Sequence, residues 1–191
     1  MTPLLKPPVP TAANPRLRWH QLYGSAAALA LAEAMRADKR LYVVIVDAAR
    51  DLERLTAEVR FFAGDSLALL RLPDWEVLPY DLFSPHPDIV SERLKTLFEL
   101  PRVAHGCLIV AADTLMQRLP PKNYVQARAF EPTKGQQLAL EPFRQQLAQA
   151  GYASVSQVVS PGEFAMRGSL LDVFPMGATT PLRIDLFDDE I

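Results

Sequence analysis

No lysine stands where a phosphate-binding loop would place one. The segment Gln21-Leu22-Tyr23-Gly24-Ser25-Ala26-Ala27-Ala28 precedes an alanine-rich helical stretch and then an apolar strand at 41–46. A working loop reads G-x-x-x-x-G-K-[ST]. Its glycines admit backbone N–H groups to the phosphates, its lysine reaches the β/γ-phosphates and its hydroxyl holds Mg²⁺. In the best register Gln21 and Ala26 replace the two glycines, Ala27 the lysine and Ala28 the hydroxyl, with Gly24 inside the loop. Nothing there neutralises a triphosphate. The same residues also fit an ordinary alanine-rich helix start, and the pattern alone does not separate the two.

Other absences narrow the field. A single cysteine, Cys107, cannot form an internal disulfide. It sits in an apolar run and reads as a small buried hydrophobe, in keeping with a reducing cytoplasm. No apolar run approaches the length that spans a bilayer, so no membrane is expected. The proline-rich start lacks the apolar core of a signal peptide. The net charge of −2 and pI of about 5.9 lack the basic surplus of a dedicated nucleic-acid module. No acidic residue precedes Glu33, whereas Lys6, Arg16 and Arg18 do. The opposite end is acidic, with Asp185, Asp188, Asp189 and Glu190. Both ends read as solvated surface. His20, His86 and His105 show no metal-ligand spacing with Cys107 or with one another, so no metal is expected. There is no G-x-S-x-G element. Asp47 and Asp113 each follow an apolar strand and superficially resemble Mg²⁺-holding aspartates; the simpler reading is that each caps the next helix.

What is present has the composition of a globular protein, 49% hydrophobic and 22% charged. Residues 1–20 read as a flexible or extended arm. Residues 26–36 are helical by propensity. The run LYVVIV at 41–46 is β-branched and continuously apolar, which predicts a strand covered on both faces. Leu52, Leu55, Val59 and Phe62 make one helical stripe, closed by Gly64. Strands are predicted at 67–72 and 107–111, with a helix at 89–100 capped by Asp88 and burying Leu94, Leu97 and Phe98. A short helix at 114–118 follows. Strands separated by helices imply a parallel sheet. Between these lies a loop rich in proline and aromatics, LPDWEVLPYDLFSPHPD. Its Trp75, Tyr80 and Phe83 either stack a base or pack the loop onto the domain.

After Pro120-Pro121 the pattern changes, with a boundary near Gln126. A helix at 141–149 should bury Phe143 and Leu147 and end at Gly151. Strands follow at 168–174 and 182–187, the latter with Leu182, Ile184 and Leu186 on one face and Arg183, Asp185 and Phe187 on the other. This predicts an α+β domain with one solvated sheet face. Phe187 is the anomaly, an aromatic on the polar face beside Arg183, and Arg167 joins them if the neighbouring strands pair antiparallel. Exposed phenylalanine and arginine are interface residue types; the alternative is a second packing surface. The chain stops directly after this strand, so the sequence reads as a fragment of a longer protein.

The runs LPDWEVLPYDLFSPHPDIVSERL, LIVAADTLMQR, GEFAMRGSLLDVFPMG and LRIDLFDDEI resemble the N-terminal UvrB-like module of the bacterial transcription-repair coupling factors (Mfd), from about residue 22 to residue 191. The resemblance implies a helicase-type, P-loop-like but degenerate parallel α/β domain over 21–126. It also implies a smaller α+β domain over 127–191, truncated here. It further implies a non-catalytic adaptor that recruits UvrA to lesion-stalled RNA polymerase in nucleotide excision repair. The ATP- and Mg²⁺-dependent double-stranded DNA translocase, and the polymerase contacts, would lie in parts of the full-length protein beyond this chain. No cofactor is implied for the segment itself. The family's UvrA-contacting pair of arginines and its phenylalanine fall on Arg167, Arg183 and Phe187, the residues that strand alternation singles out. The family has lost the nucleotide loop, which agrees with Gln21, Gly24, Ala26, Ala27 and Ala28 as a non-functional remnant. It also lacks UvrB's DNA-clamping hairpin, and no aromatic-rich hairpin follows Leu82. Two rival readings are a nucleotide-binding ATPase half with an unusual loop and a DNA-binding module using the basic start. Calorimetry with ATP and Mg²⁺, or a salt-dependent gel shift, separates them from the adaptor.

Overall fold

A computed structural model of the chain describes residues 5–78, 80–126, 129, 131–187 and 190–191. Residues 1–4 of the arm, Pro79 of the aromatic loop, Ala127, Arg128 and Phe130 at the start of the expected second domain, and the acidic Asp188 and Asp189 lie outside the described residues. The chain forms two compact units, Met1–Asp74 with Glu99–Arg118, and Trp75–Phe98 with Leu119–Ile191. This division differs from one cut near Gln126, because the segment after Asp74 groups with the later part of the chain.

In the first unit, α1 (Ala26–Ala37) leads into β1 (Leu41–Val46), α2 (Ala49–Ala63), β2 (Ala68–Leu72), β3 (Gly106–Ala111) and the short α4 (Ala112–Leu115). The strands form a parallel sheet in the order β1-β3-β2, as helix-separated apolar runs require. Ala28, Ala32 and Met35 of α1 and Leu52 and Val59 of α2 pack with Cys107 and Ile109 into one core. Leu55 and Phe62 extend the stripe, and Gly64 ends α2 at φ +62, as expected. The central strand β3 is buried at every position. The expectation of two covered faces fails for β1, where Val43 is 53% and Ile45 56% exposed. The reason is position. β1 is an edge strand, and among the described residues only its Tyr42, Val44 and Val46 face meets packed helices. Asp47 is exposed and makes no cap, since α2 starts after Ala48 without a side-chain cap bond. Asp113 instead lies inside the first turn of α4 and accepts the Thr114 N–H at 2.6 Å. Within the arm, the Pro8 carbonyl accepts from Trp19 Nε1 at 3.0 Å and the Pro10 carbonyl from Arg40 at 3.1 Å.

Burial pushes the Cys107 thiol up to about 12. The unfolded thiol ionises near 9, so between about 9 and 12 the folded state holds the extra proton and stability falls as pH rises. We expect a thiol reagent at pH 9 to leave native Cys107 unmodified and to react at once in denaturant. Stoichiometric labelling of the native protein within minutes would contradict this burial.

The second unit opens with the aromatic loop and α3 (Pro87–Glu99). Trp75 packs, with the Arg93 guanidinium 4.0 Å from its ring centroid, whereas Tyr80 and Phe83 are exposed along with Leu78 and Leu82. Helix α3 starts at Pro87, so Asp88 lies in its first turn and is not the cap residue. Its buried face is polar, against expectation: Ser91, Arg93 and Thr96 are buried and Leu94, Leu97 and Phe98 only partly so. These polar groups have specific partners, Ser91 Oγ accepting the Gly177 N–H at 2.7 Å and Arg93 meeting Trp75. An apolar-stripe rule cannot see such pairings.

Helix α5 (Lys122–Gln126) and helix α6 (Leu140–Gln149) follow, then β4 (Ala153–Ser154), β5 (Glu163–Arg167), β6 (Leu170–Phe174) and β7 (Leu182–Asp185). The four strands form a mixed sheet in sequence order. β4 runs parallel to β5, and the remaining pairs are antiparallel. Phe143 and Leu147 of α6 pack with Phe164, Leu171, Val173, Ile184 and Leu186 on one face of this sheet. Gly151 follows α6 at φ +89, and its N–H bonds back to Ala148. The strand expected over 168–174 is shorter. Gly168, at φ +63, and Ser169 form the turn of a β5–β6 hairpin, in which Arg167 pairs with Leu170.

Candidate functional site

Strand register assembles the site. Phe164 pairs with Val173 and Val173 with Leu182, while Met166 pairs with Leu171 and Leu171 with Ile184. These positions define the face that carries the core. Directly opposed residues share a face, so Ala165, Asp172 and Arg183 line up on the other side, with Arg167, Leu170 and Asp185 in the next row. This outer face is mostly polar and exposed, as the alternation at 182–187 predicts. Two positions depart from this: Leu182 is exposed despite its place on the inner set, and Ala165 is buried despite its place on the outer one.

Arg183 is anchored to its neighbour. Its Nε donates to Asp172 Oδ1 at 2.6 Å and its Nη2 to Asp172 Oδ2 at 2.8 Å, a bidentate cross-strand pair. The Arg183 guanidinium, bonded to the Asp172 carboxyl, holds it below the usual carboxylate range; burial opposes this and Arg167 adds to it from farther off. Arg167 donates from Nη2 to the Ser156 carbonyl at 2.5 Å. Both arginines line an open cleft of about 490 Å³ with Asp172, Gln157, Val158, Pro181 and Leu182. Phe187 does not line it. Phe187 continues the line of β7 two residues beyond Asp185 and is 87% exposed, although Leu186 beside it is buried. Its backbone is pinned by reciprocal bonds with Glu190, at 2.9 and 3.1 Å, and Glu190 in turn bridges Gln137. The ring is exposed on a residue whose backbone is paired with Glu190. The sequence patterns do not single out Asp172, nor Gln157, Val158 and Pro181 of the cleft. The available signal was a lone acid inside the apolar strand LLDVF, opposite an arginine once the strands are paired.

The alanine-lined loop lies elsewhere. Helix α1 returns through residues 38–40 into β1, so its N-terminus lies at the end of the sheet where the strands finish, the usual ligand side of a parallel α/β sheet. Residues 5–23 form no strand, so among the described residues no strand leads into this loop. Gln21 and Gly24 both have left-handed backbone, at φ 60 and 54. Ala26 and Ala27 are half-buried, and Ala28 is fully buried within the core. At the same end Asp74 accepts from Gln117 at 2.5 Å and from Thr114 at 3.3 Å. No cluster of metal-binding side chains occurs among the described residues.

The fold and this face together define a parallel α/β unit joined to a small mixed-sheet interaction domain: residues 130–191 match the family model described as the UvrB interaction domain. The transcription-repair-coupling factor of Haemophilus influenzae is 41% identical over 190 residues, which is all of this chain and 16% of that protein. That of Escherichia coli K12 is 43% identical over 183 residues, 96% of the chain and 16% of the protein, and that of Mycobacterium bovis 33% over 162 residues, 78% and 12%. The chain belongs to the transcription-repair coupling factor family, as its N-terminal UvrB-like module. It spans about one-sixth of the length of the first two of these relatives.

Proposed function

We propose that this chain is a non-catalytic adaptor that binds UvrA through the outer face of its second sheet, and so brings nucleotide excision repair to RNA polymerase stalled at a lesion. The observation that carries this reading is the exposure of Arg167 and Arg183 on the outer sheet face, with an exposed Phe187 just beyond β7, in the segment that matches the UvrB interaction domain. Phe187 would place its ring in an apolar pocket of UvrA, while the arginines would meet carboxylates through charge-assisted hydrogen bonds. The polymerase contacts and an ATP-driven double-stranded DNA translocase would belong to other parts of the full-length protein. The first unit would be a helicase-type domain in a cytoplasmic protein, kept as a scaffold.

The test is a calorimetric titration of UvrA with the wild-type chain and with Arg183→Ala. The substitution should weaken binding by about 2 kcal/mol with an unchanged circular dichroism spectrum. Wild-type affinity for a folded variant would remove Arg183 from the site. The first unit is also expected to hold no nucleotide, because Ala27 offers no cation to a triphosphate and Ala28 no hydroxyl to Mg²⁺. Titration with ATP and Mg²⁺ should give no heat of binding; a saturable isotherm would revive the ATPase reading.

A further inference from the structure

We infer that Asp172 is a positioning residue for the partner-binding face: it fixes which edge of the Arg183 guanidinium is offered to the partner. The inference rests on the reading of Arg183 as a UvrA contact. A guanidinium has two edges that accept a carboxylate in the two-bond manner, one made by Nε and one Nη, the other by the two terminal nitrogens. Asp172 fills the first edge with bonds of 2.6 and 2.8 Å. Among the described residues Nη1 makes no hydrogen bond, and the Arg183 side chain is 66% exposed against 22% for Asp172. The second edge is therefore unbonded on a mostly exposed side chain that lines the same cleft as Arg167. An approaching carboxylate meets a donor pair whose direction is already set.

The pair is better suited to this task than to holding the fold. An exposed ion pair contributes little to stability, since solvent screens it. A long arginine, by contrast, loses considerable side-chain freedom when a partner orders it, and ordering it beforehand removes part of that cost. The geometry favours this arrangement, because Asp172 and Arg183 are directly opposed across β6 and β7 and the ion pair spans adjacent strands of one sheet. Arg167 sits on the far side of Asp172, one row along β5. Asp172 thus lies between two cations that the partner's acids would approach.

Two expectations oppose each other, which makes the test sharp. If Asp172 acted only through its charge, removing it from an arginine-rich face would strengthen binding of an acidic surface. If it orders Arg183, removing it weakens binding despite the charge gained. The experiment titrates UvrA with the wild-type chain, Asp172→Ala, Asp172→Glu, Arg183→Ala and the double variant Asp172→Ala/Arg183→Ala. We expect Asp172→Ala to raise Kd about fivefold and Asp172→Glu, which still reaches the fork, to restore most of it. Asp172→Ala should change nothing further once Arg183 is gone. Arg183→Ala weakened but Asp172→Ala equal to or tighter than wild type would overturn the positioning role and leave the adaptor reading standing. Additive losses in the double variant would also overturn it, since Asp172 would then act independently of Arg183. Wild-type affinity for Arg183→Ala would overturn both. Should Asp172→Ala unfold, Asp172→Asn keeps one acceptor and the side-chain size, and an intermediate loss that vanishes in the Arg183→Ala background is then the supporting result.

Discussion

Replacing Phe187 by alanine should weaken UvrA binding by about 2 kcal/mol, roughly thirtyfold in Kd, and leave the folded domain intact. The size follows from where the ring stands. At 87% exposed it contributes almost nothing to the core, so its removal costs the free chain little. Burying the same ring in a partner's pocket removes most of its apolar surface from water, worth about 1.5–3 kcal/mol. The Phe187 backbone is already paired with Glu190, so binding does not first have to fix that residue. Titration of UvrA with wild type and Phe187→Ala, with circular dichroism as the folding control, measures the effect. Equal affinity would show that the ring faces solvent in the complex too, and the proposed patch would lose its anchor.

Gly106→Ala should destabilise the first unit by about 3 kcal/mol or more. Gly106 opens the central strand, pairing with Leu41 on one side and Ala68 on the other. Its φ of +154 is unsuited to a side chain, and a Cβ there would lie 2.2 Å from the Ala68 carbonyl oxygen. That obstacle is backbone in a paired strand, so neither neighbour can yield without breaking ladder bonds. Gly168→Ala makes the control. It too has left-handed backbone, at φ +63, but nothing lies within 4 Å of a Cβ there. Its expected cost is about 1 kcal/mol, from conformation alone. Urea unfolding followed by circular dichroism separates the two. Matching midpoints would mean that the edge strand shifts easily and that the register at the start of β3 is soft.

Much of the fold was legible in the chain because its signals are local. LYVVIV and CLIVA are β-branched runs between helical stretches, and they form β1 and most of β3 in a parallel sheet. The stripe from Leu52 to Phe62 and the pair Phe143 and Leu147 packed as their spacing required. Glycine marked the ends, at Gly64 and Gly151. The features that escaped depend on partners distant in sequence. EFAMR has no clean alternation, and it becomes β5 only by pairing with β6 across the Gly168-Ser169 turn. The buried side of α3 is polar because Trp75 and Gly177 meet it. Val43 and Ile45 are apolar yet exposed because β1 happens to be an edge.

The same division holds for the site. Arg183 and Phe187 fall on the polar side of a period-two pattern, so the residues themselves announce an exposed aromatic beside an exposed cation. Arg167 joined them only conditionally, since its place depended on which strands paired. The absence of a cation at the alanine-lined turn is also purely a matter of residue identity: no folding can make Ala27 charged.

By itself, then, the sequence determined what chemistry is available: no phosphate-binding lysine, one unpairable thiol, two α/β grammars in succession, and guanidinium and aromatic groups on one strand face. These follow from side-chain identity and from periods of two and 3.6 residues, which act over a few neighbours. Tertiary structure alone decided that Arg167 reaches the face through a hairpin, that Asp172 grips one edge of Arg183, and that the Phe187 backbone pairs with Glu190 while its ring stays exposed. Those outcomes rest on register between strands, a long-range choice made by the whole core at once, and no local window of the chain contains it.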